Sequence, residues 1–263
     1  MSQSGIMAAA LITGASTGIG REFAYLCAQA GYDVVLVSRS ESKLQSLAAD
    51  IRQKTGRIAY VFARDLSDPA APKVLYDDIV CSKIPVDVLI NNAGFGMLGK
   101  FWELDAAEQM QIIQLNIHAL TCLSRLFLPL MIANKRGKIL NVASTAAFQP
   151  CPLFSVYSAT KAYVLSFSEA LHNEARDHGV AVTCLCPGPT RTDFDKRAGA
   201  AAMAKLFEGA MDARTVAQLG WNALNAAKPL VIAGRKNAVM AFFTRFAPIQ
   251  MAASLSRKFL ESA

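Results

Sequence analysis

Short apolar, β-branched runs alternate along the chain with longer stretches in which apolar positions recur every three or four residues. The runs are AAALIT (8–13), DVVLVS (33–38), RIAYVF (57–62), VDVLIN (86–91), GKILNVAS (137–144), VAVTCLC (180–186) and PLVIAG (229–234). The amphipathic stretches fall near 18–30, 41–54, 70–80, 105–133, 154–178 and 212–227. A strand that is apolar on consecutive residues is buried on both faces, and crossover helices provide that cover. The pattern therefore predicts an α/β fold over 1–263, a doubly wound parallel sheet of about seven strands with helices on both faces. No Pro/Gly/Ser-rich linker or internal repeat divides it, so a single domain is expected.

Two segments break the rhythm. Residues 188–212 mix small, basic and apolar side chains, the composition of a lid. Residues 235–263 are basic and apolar beyond the last strand. That extension could pack on the body, line a pocket, join subunits or touch a membrane surface, with packing the default.

Composition narrows the class. Of 263 residues, 53% are hydrophobic and 18% charged, which excludes a disordered chain. The net charge of +7 suits an anionic, phosphate-bearing ligand, and without a Lys/Arg run nucleic acid is not expected. Six cysteines without a C-x-x-C pair and three histidines without metal-site spacing suggest a reduced, cytoplasmic setting and no metal. The apolar start of the chain runs directly into a glycine turn and reads as a first strand, with neither a signal peptide nor a membrane span.

That turn carries the first chemistry. Gly14, Ser16, Thr17, Gly18, Ile19 and Gly20 lie between the first strand and the first helix. Glycines there let the backbone approach a pyrophosphate, and the helix N-terminus offers N–H groups and partial positive charge. The spacing is G-x-x-x-G-x-G, and its place after the first strand makes the sheet Rossmann-type and dinucleotide-binding. The second strand ends in Ser38 and Arg39 where an acidic residue would select NAD(H). A guanidinium beside a hydroxyl suits a 2′-phosphate, so NADP(H) is preferred over NAD(H). Asp65 and the backbone at Leu66, after the third strand, are placed to meet the adenine. In YSATK (157–161), helical spacing aims Tyr157 and Lys161 at one volume, where a cation would stabilise a phenolate whose ordinary pKa is about 10.

TGASTGIG (13–20), NNAG (91–94), Asn116, Ser144 and YSATK, in that order, resemble the short-chain dehydrogenase/reductase family, and the resemblance runs from residue 8 to about 234. It implies a catalytic set of Asn116, Ser144, Tyr157 and Lys161. Tyr157 would exchange a proton with the substrate oxygen, and Ser144 would hydrogen-bond that oxygen. Lys161 would lower the tyrosine pKa and bond the nicotinamide ribose, while Asn116 would hold a relay water. It further implies that Asn91 and Asn92 brace the sheet while Asn92, Ala93 and Gly94 border the cofactor. Pro187, Gly188, Thr190 and Thr192 would flank the nicotinamide. The tail is longer than in the compact four-chain members, which leaves a homodimer through 105–133 and 154–178, or a homotetramer, as the expectation.

The loop between Ser144 and Tyr157 borders the reacting oxygen in that family, and here it is apolar. Phe148, Leu153 and Phe154, with Ser144 and Tyr157, are the candidate substrate residues. Phe95, Met97 and Leu98, and Met203, Leu206 and Phe207 in the lid, add to the same character. A hydrophobic ketone or secondary alcohol follows, whether 3-oxoacyl, steroid-like or aryl. The alternatives are an NADP(H)-binding sensor or scaffold without turnover and an NAD-dependent alcohol dehydrogenase.

Overall fold

The computed structural model describes residues 8–192, 209–244 and 246–261. Strands β1 (Ala9–Thr13), β2 (Asp33–Ser38), β3 (Ala59–Ala63), β4 (Val86–Asn91), β5 (Gly137–Val142), β6 (Val180–Cys186) and β9 (Leu230–Ile232) form one parallel sheet in the order β3-β2-β1-β4-β5-β6-β9. The order reverses between β1 and β4. At such a point the connecting segments leave on opposite faces and open a crevice at the strands' C-terminal ends.

Alternate residues of each strand serve opposite faces. On one face Ile12, Leu36, Ile90, Leu140 and Leu185 pack with Phe23 of α1 (Gly18–Gln29), Leu44 and Ile51 of α2 (Glu41–Thr55) and Leu224 of α7 (Ala213–Asn225). On the other, Leu11, Val35, Leu89, Ile139 and Val182 meet Leu75 and Ile79 of α3 (Ala71–Cys81), Phe127 of α5 (Leu120–Ala133) and Leu171 of α6 (Ser155–Ala175). This two-sided burial is the reason the strands read as unbroken apolar runs.

Helix α4 (Ala106–Ile113) continues into α5 through a π turn, Gln114–Ala119, which the sequence reading treats as ordinary helix. The stretch Ala106–Ala133 is long and apolar enough to cross a membrane by length and composition. Its Leu123, Phe127 and Met131 lie buried on the sheet, as in a core helix. The lid candidate is bracketed by a two-stranded pairing of β7 (Thr190–Arg191) with β8 (Met211–Asp212). Its Met203, Leu206 and Phe207 lie outside the described residues. Beyond β9 the chain forms α8 (Arg235–Thr244) and α9 (Ile249–Glu261).

A polar thread crosses the apolar core. Asn91 Nδ2 donates to Ser124 Oγ (3.1 Å) and to Asn141 Oδ1 (2.9 Å), and Asn141 Nδ2 donates to Ser168 Oγ (2.9 Å). It ties β4 and β5 to α5 and α6, and inside the protein each broken link strands a desolvated group. Replacing Asn141 by leucine removes an acceptor from Asn91 and a donor from Ser168. Urea denaturation of Asn141→Leu should show a loss of about 2–3 kcal/mol with an unchanged slope.

Candidate functional site

A cleft of about 1310 Å³ runs along the C-terminal ends of the strands. One side begins where β1 ends. Thr13 Oγ1 accepts from the backbone N–H groups of Asn92 (3.0 Å) and Ala93 (2.9 Å), while Asn92 Nδ2 donates to Thr13 O (2.9 Å). These bonds fix the outlets of β1 and β4 against each other. The chain then turns through Gly18 at φ +54°, a conformation that L side chains rarely adopt, and a Cβ there would lie 2.7 Å from Thr192 Cγ2. Thr17 caps α1 without a side-chain hydrogen bond to its first turn, and Ser16, Thr17, Gly18 and Ile19 face the cleft.

The remote end of the cleft is cationic. Ser38, Arg39, Lys43, Arg64, Asp65 and Leu66 line it. Arg39 Nη1 stands 3.6 Å from Asp65 Oδ2, and Arg64 Nη2 bonds Asp78 Oδ2 at 2.5 Å. Partial burial works to raise the Asp65 carboxyl, but hydrogen bonds from Ser67 and the Arg39 charge leave it below its ordinary value.

At the opposite end Tyr157 and Lys161 project from the start of α6, one turn apart, with Lys161 Nζ 5.6 Å from the phenol ring centroid. Lys161 Nζ donates to Val142 O at 2.8 Å. Burial pulls the ammonium down to about 8, and burial pushes the Tyr157 phenol up to about 12 against the opposing hydrogen bond to Ser144. Ser144 follows β5 and caps a 3₁₀ turn, Thr145–Phe148, its Oγ accepting from Ala146 N at 3.1 Å. Capping a turn and bonding the phenol are thus compatible. The Phe154 ring stacks on Tyr157 at 4.3 Å and 25°.

Asn116 sits in the π turn, buried. Its Oδ1 accepts from Phe95 N (3.1 Å), and its Nδ2 donates to Phe95 O (3.0 Å) and Thr160 Oγ1 (3.0 Å). Thr160 Oγ1 in turn donates to Tyr157 O at 2.7 Å. The loop after β4 and the first turns of α6 are therefore coupled through one amide.

The cleft brings together most of the residues singled out from sequence, including Asn92, Ala93, Gly94, Ser144, Tyr157, Lys161, Pro187, Gly188, Thr190 and Thr192. Others lie elsewhere. Asn116 acts behind the wall, and Gly20 lies under the turn, where a Cβ would meet Gly14 O at 2.3 Å. Phe148, a candidate substrate residue, packs instead with Leu120, Val164, Cys184 and Cys186, because the 3₁₀ turn directs it inward. Leu153 packs beside Leu98, Cys151 and Phe154 at φ +67°, outside the cleft lining. Sequence reasoning missed Lys43, Arg64, Gln149 and Cys151. The two cations could have been found by asking which bases flank the ends of β2 and β3. Met240, Phe243, Leu255, Phe259 and Leu260 of the tail also line the cleft.

The dimensions and donors suit a nicotinamide dinucleotide. Gly94 lines the cleft with its backbone because a side chain has no room there: a Cβ would come within 3.0 Å of Asn116 Oδ1 and 3.3 Å of Lys161 Nζ. The capped but unbridged α1 turn suits a pyrophosphate.

Residues 8–202 match the short chain dehydrogenase family. A very-long-chain 3-oxoacyl-CoA reductase of Phaeosphaeria nodorum is 43% identical over 185 residues, 67% of this chain and 53% of that protein. A 17-beta-hydroxysteroid dehydrogenase type 3 of Mus musculus is 36% identical over 193 residues, 71% and 61% of the respective lengths. The chain thus spans only about half to three fifths of these relatives. A short-chain dehydrogenase from Sphingobium yanoikuyae, solved in complex with NADPH, superposes with a TM-score of 0.81 at 31% identity, covering 91% of this chain and 95% of that one.

The buried lysine has a pH signature. An unfolded chain holds the Lys161 proton up to about pH 10.5 and the folded, ligand-free chain only to about pH 8, so burial of the charge costs most below pH 8. Lys161→Met should be more stable than the parent at pH 7, and the advantage should shrink by about 3 kcal/mol as pH rises from 8 to 10.5. Denaturation midpoints of the two proteins over that range check it; a constant difference overturns it.

Proposed function

The chain belongs to the short-chain dehydrogenase family, and from that membership we propose that it interconverts a ketone and a secondary alcohol, reducing a hydrophobic carbonyl with NADP(H) as the preferred cofactor. The observation that carries this reading is one cleft with Tyr157, Lys161 and Ser144 at one end and Arg39, Lys43 and Arg64 at the other. A protein that only sensed the nucleotide would need the cations but not the proton-transfer set.

The dinucleotide, when bound, supplies the hydride. The chain's own residues manage the oxygen. Ser144 Oγ–H donates to the carbonyl oxygen and polarises it, and Tyr157 Oη–H gives that oxygen its proton as negative charge develops there. The departing proton leaves a phenolate, which the Lys161 ammonium stabilises. Burial that lowers the Lys161 pKa also makes its charge more effective, since little water screens it. Asn116, held by Phe95 and Thr160, fixes the wall behind Lys161 where a water can return the proton. Phe95, Phe154 and Leu260 keep the reacting end apolar and exclude bulk water.

The cationic end supports NADP(H). Arg39, Lys43 and Arg64 offer positive charge where the ribose 2′-phosphate of a dinucleotide laid along the cleft would fall, and Asp65 is already engaged by Ser67 and Arg39. The apolar end supports a long acyl or polycyclic substrate, consistent with the 3-oxoacyl-CoA reductase and hydroxysteroid dehydrogenase among the relatives.

NADPH oxidation against a panel of 3-oxoacyl, steroid and aryl ketones tests the reading. Tyr157→Phe should lower turnover about 10³-fold while the NADPH Kd stays within a few-fold, since the ring is kept and only the proton donor is lost. Wild-type turnover in that variant would remove Tyr157 from the role, and tight NADPH binding without turnover across the panel would favour a sensor. Arg39→Ala should weaken NADPH by about 10- to 100-fold and NADH by far less, as loss of a charge-assisted phosphate contact requires. Equal losses for the two cofactors would return Arg39 to a solvated helix start.

A further inference from the structure

The two tail helices invert the usual distribution of side chains. Their buried positions are small, Ala241 on α8 and Ala252 and Ser256 on α9, with Leu260 the one large exception. Their large apolar side chains face out. Phe242, Phe243, Phe246, Ile249, Met251 and Leu255 are each 51–73% exposed. The three phenylalanines are contiguous, since the Phe242 ring meets Phe243 at 5.7 Å and Phe246 at 5.3 Å. A soluble surface rarely carries such a patch unless something covers it.

The charge around the patch says what covers it. From Arg235 to Leu260 the chain carries Arg235, Lys236, Arg245, Arg257 and Lys258 and no carboxylate. An isologous dimer would set the same patch on both subunits, so these cations would approach their own copies with only Glu261 in the tail to offset them, and that carboxylate is taken up by Arg257 at 2.7 Å. A bilayer with anionic headgroups satisfies both features at once. Its acyl region takes the aromatic side chains and its headgroups take the basic ones.

We infer that α8 and α9 dock the protein on an anionic lipid surface, with the mouth of the cleft against the bilayer. The patch is continuous with that mouth, because Phe243 and Leu255 both stand exposed and line the cleft. A substrate dissolved in the membrane would pass between the tail helices to Tyr157 without crossing water. Docking does not depend on the reaction assigned above, because vesicle binding is read without turnover.

The test is co-sedimentation of the full chain with phosphatidylcholine vesicles, pure or with roughly 30% phosphatidylglycerol. Two variants are compared, Phe242→Ser/Phe246→Ser/Ile249→Ser and Lys236→Gln/Arg257→Gln/Lys258→Gln. None of these positions lines the cleft, so NADPH affinity should be unchanged in both and reports that they fold. The parent should bind anionic vesicles about 10-fold or more above neutral ones. The apolar variant should lose binding to both kinds, and the charge variant should fall to the neutral-vesicle level. Parent protein left in the supernatant, or binding that survives the apolar substitutions, overturns the inference. So does a parent dimer that sedimentation velocity shows becoming a monomer in the apolar variant, because the patch then belongs to a second copy.

Discussion

The cleft hangs from the clamp between Thr13 and Asn92, where β1 and β4 leave the sheet in opposite directions. A single threonine hydroxyl holds two successive backbone N–H groups, and the asparagine amide returns a bond to the threonine carbonyl. From there a continuous line of contacts reaches the far wall. Phe95 is gripped by Asn116, Asn116 by Thr160, and Thr160 holds the carbonyl of Tyr157. The glycine turn and the phenol, which sit on elements far apart in sequence, are thus positioned from one reference point. Geometry of this kind has to be rigid before it can be selective, because near-attack distances tolerate little drift.

Electrostatically the two ends of the cleft differ in kind. At the remote end the cations are half in water, and Arg39 and Arg64 each stand beside a carboxylate. At the reacting end a phenol and an ammonium are both buried, and burial pushes each toward its neutral form. Neither ionised group is comfortable alone in the ligand-free protein. In the ligand-free protein the phenol therefore keeps its proton at neutral pH, and the hydrogen bond to Ser144 is the one influence that draws it down.

Much of this was legible in the sequence, for stateable reasons. The sheet could be read because β1, β2 and β4 to β6 are apolar on both faces, and the turn because glycine occurs where the chain must bend sharply. Tyr157 and Lys161 share one volume as their spacing implies, and Ser144 lines the same cleft as the resemblance implies. The π turn at Gln114–Ala119 was not legible, since one extra residue in a long helix leaves no compositional mark. Phe148 lies off the cleft lining, and an apolar residue in a loop looks the same from sequence whether the loop turns it in or out. The tail was the hardest case. Its small residues face inward and its phenylalanines outward, the reverse of the rule by which amphipathic helices are recognised.

The π turn also sets the phase of the helix that follows it. It holds one residue more than an α-helical turn would, and that surplus places the Asn116 amide between the β4 loop and α6. Removing the surplus would restore regular winding but rotate everything after it by about 100°. Leu123, Phe127 and Met131 would then swing off the sheet they now cover. One surplus residue thus sets two things at once, the reach of the Asn116 amide and the side of α5 that covers the sheet.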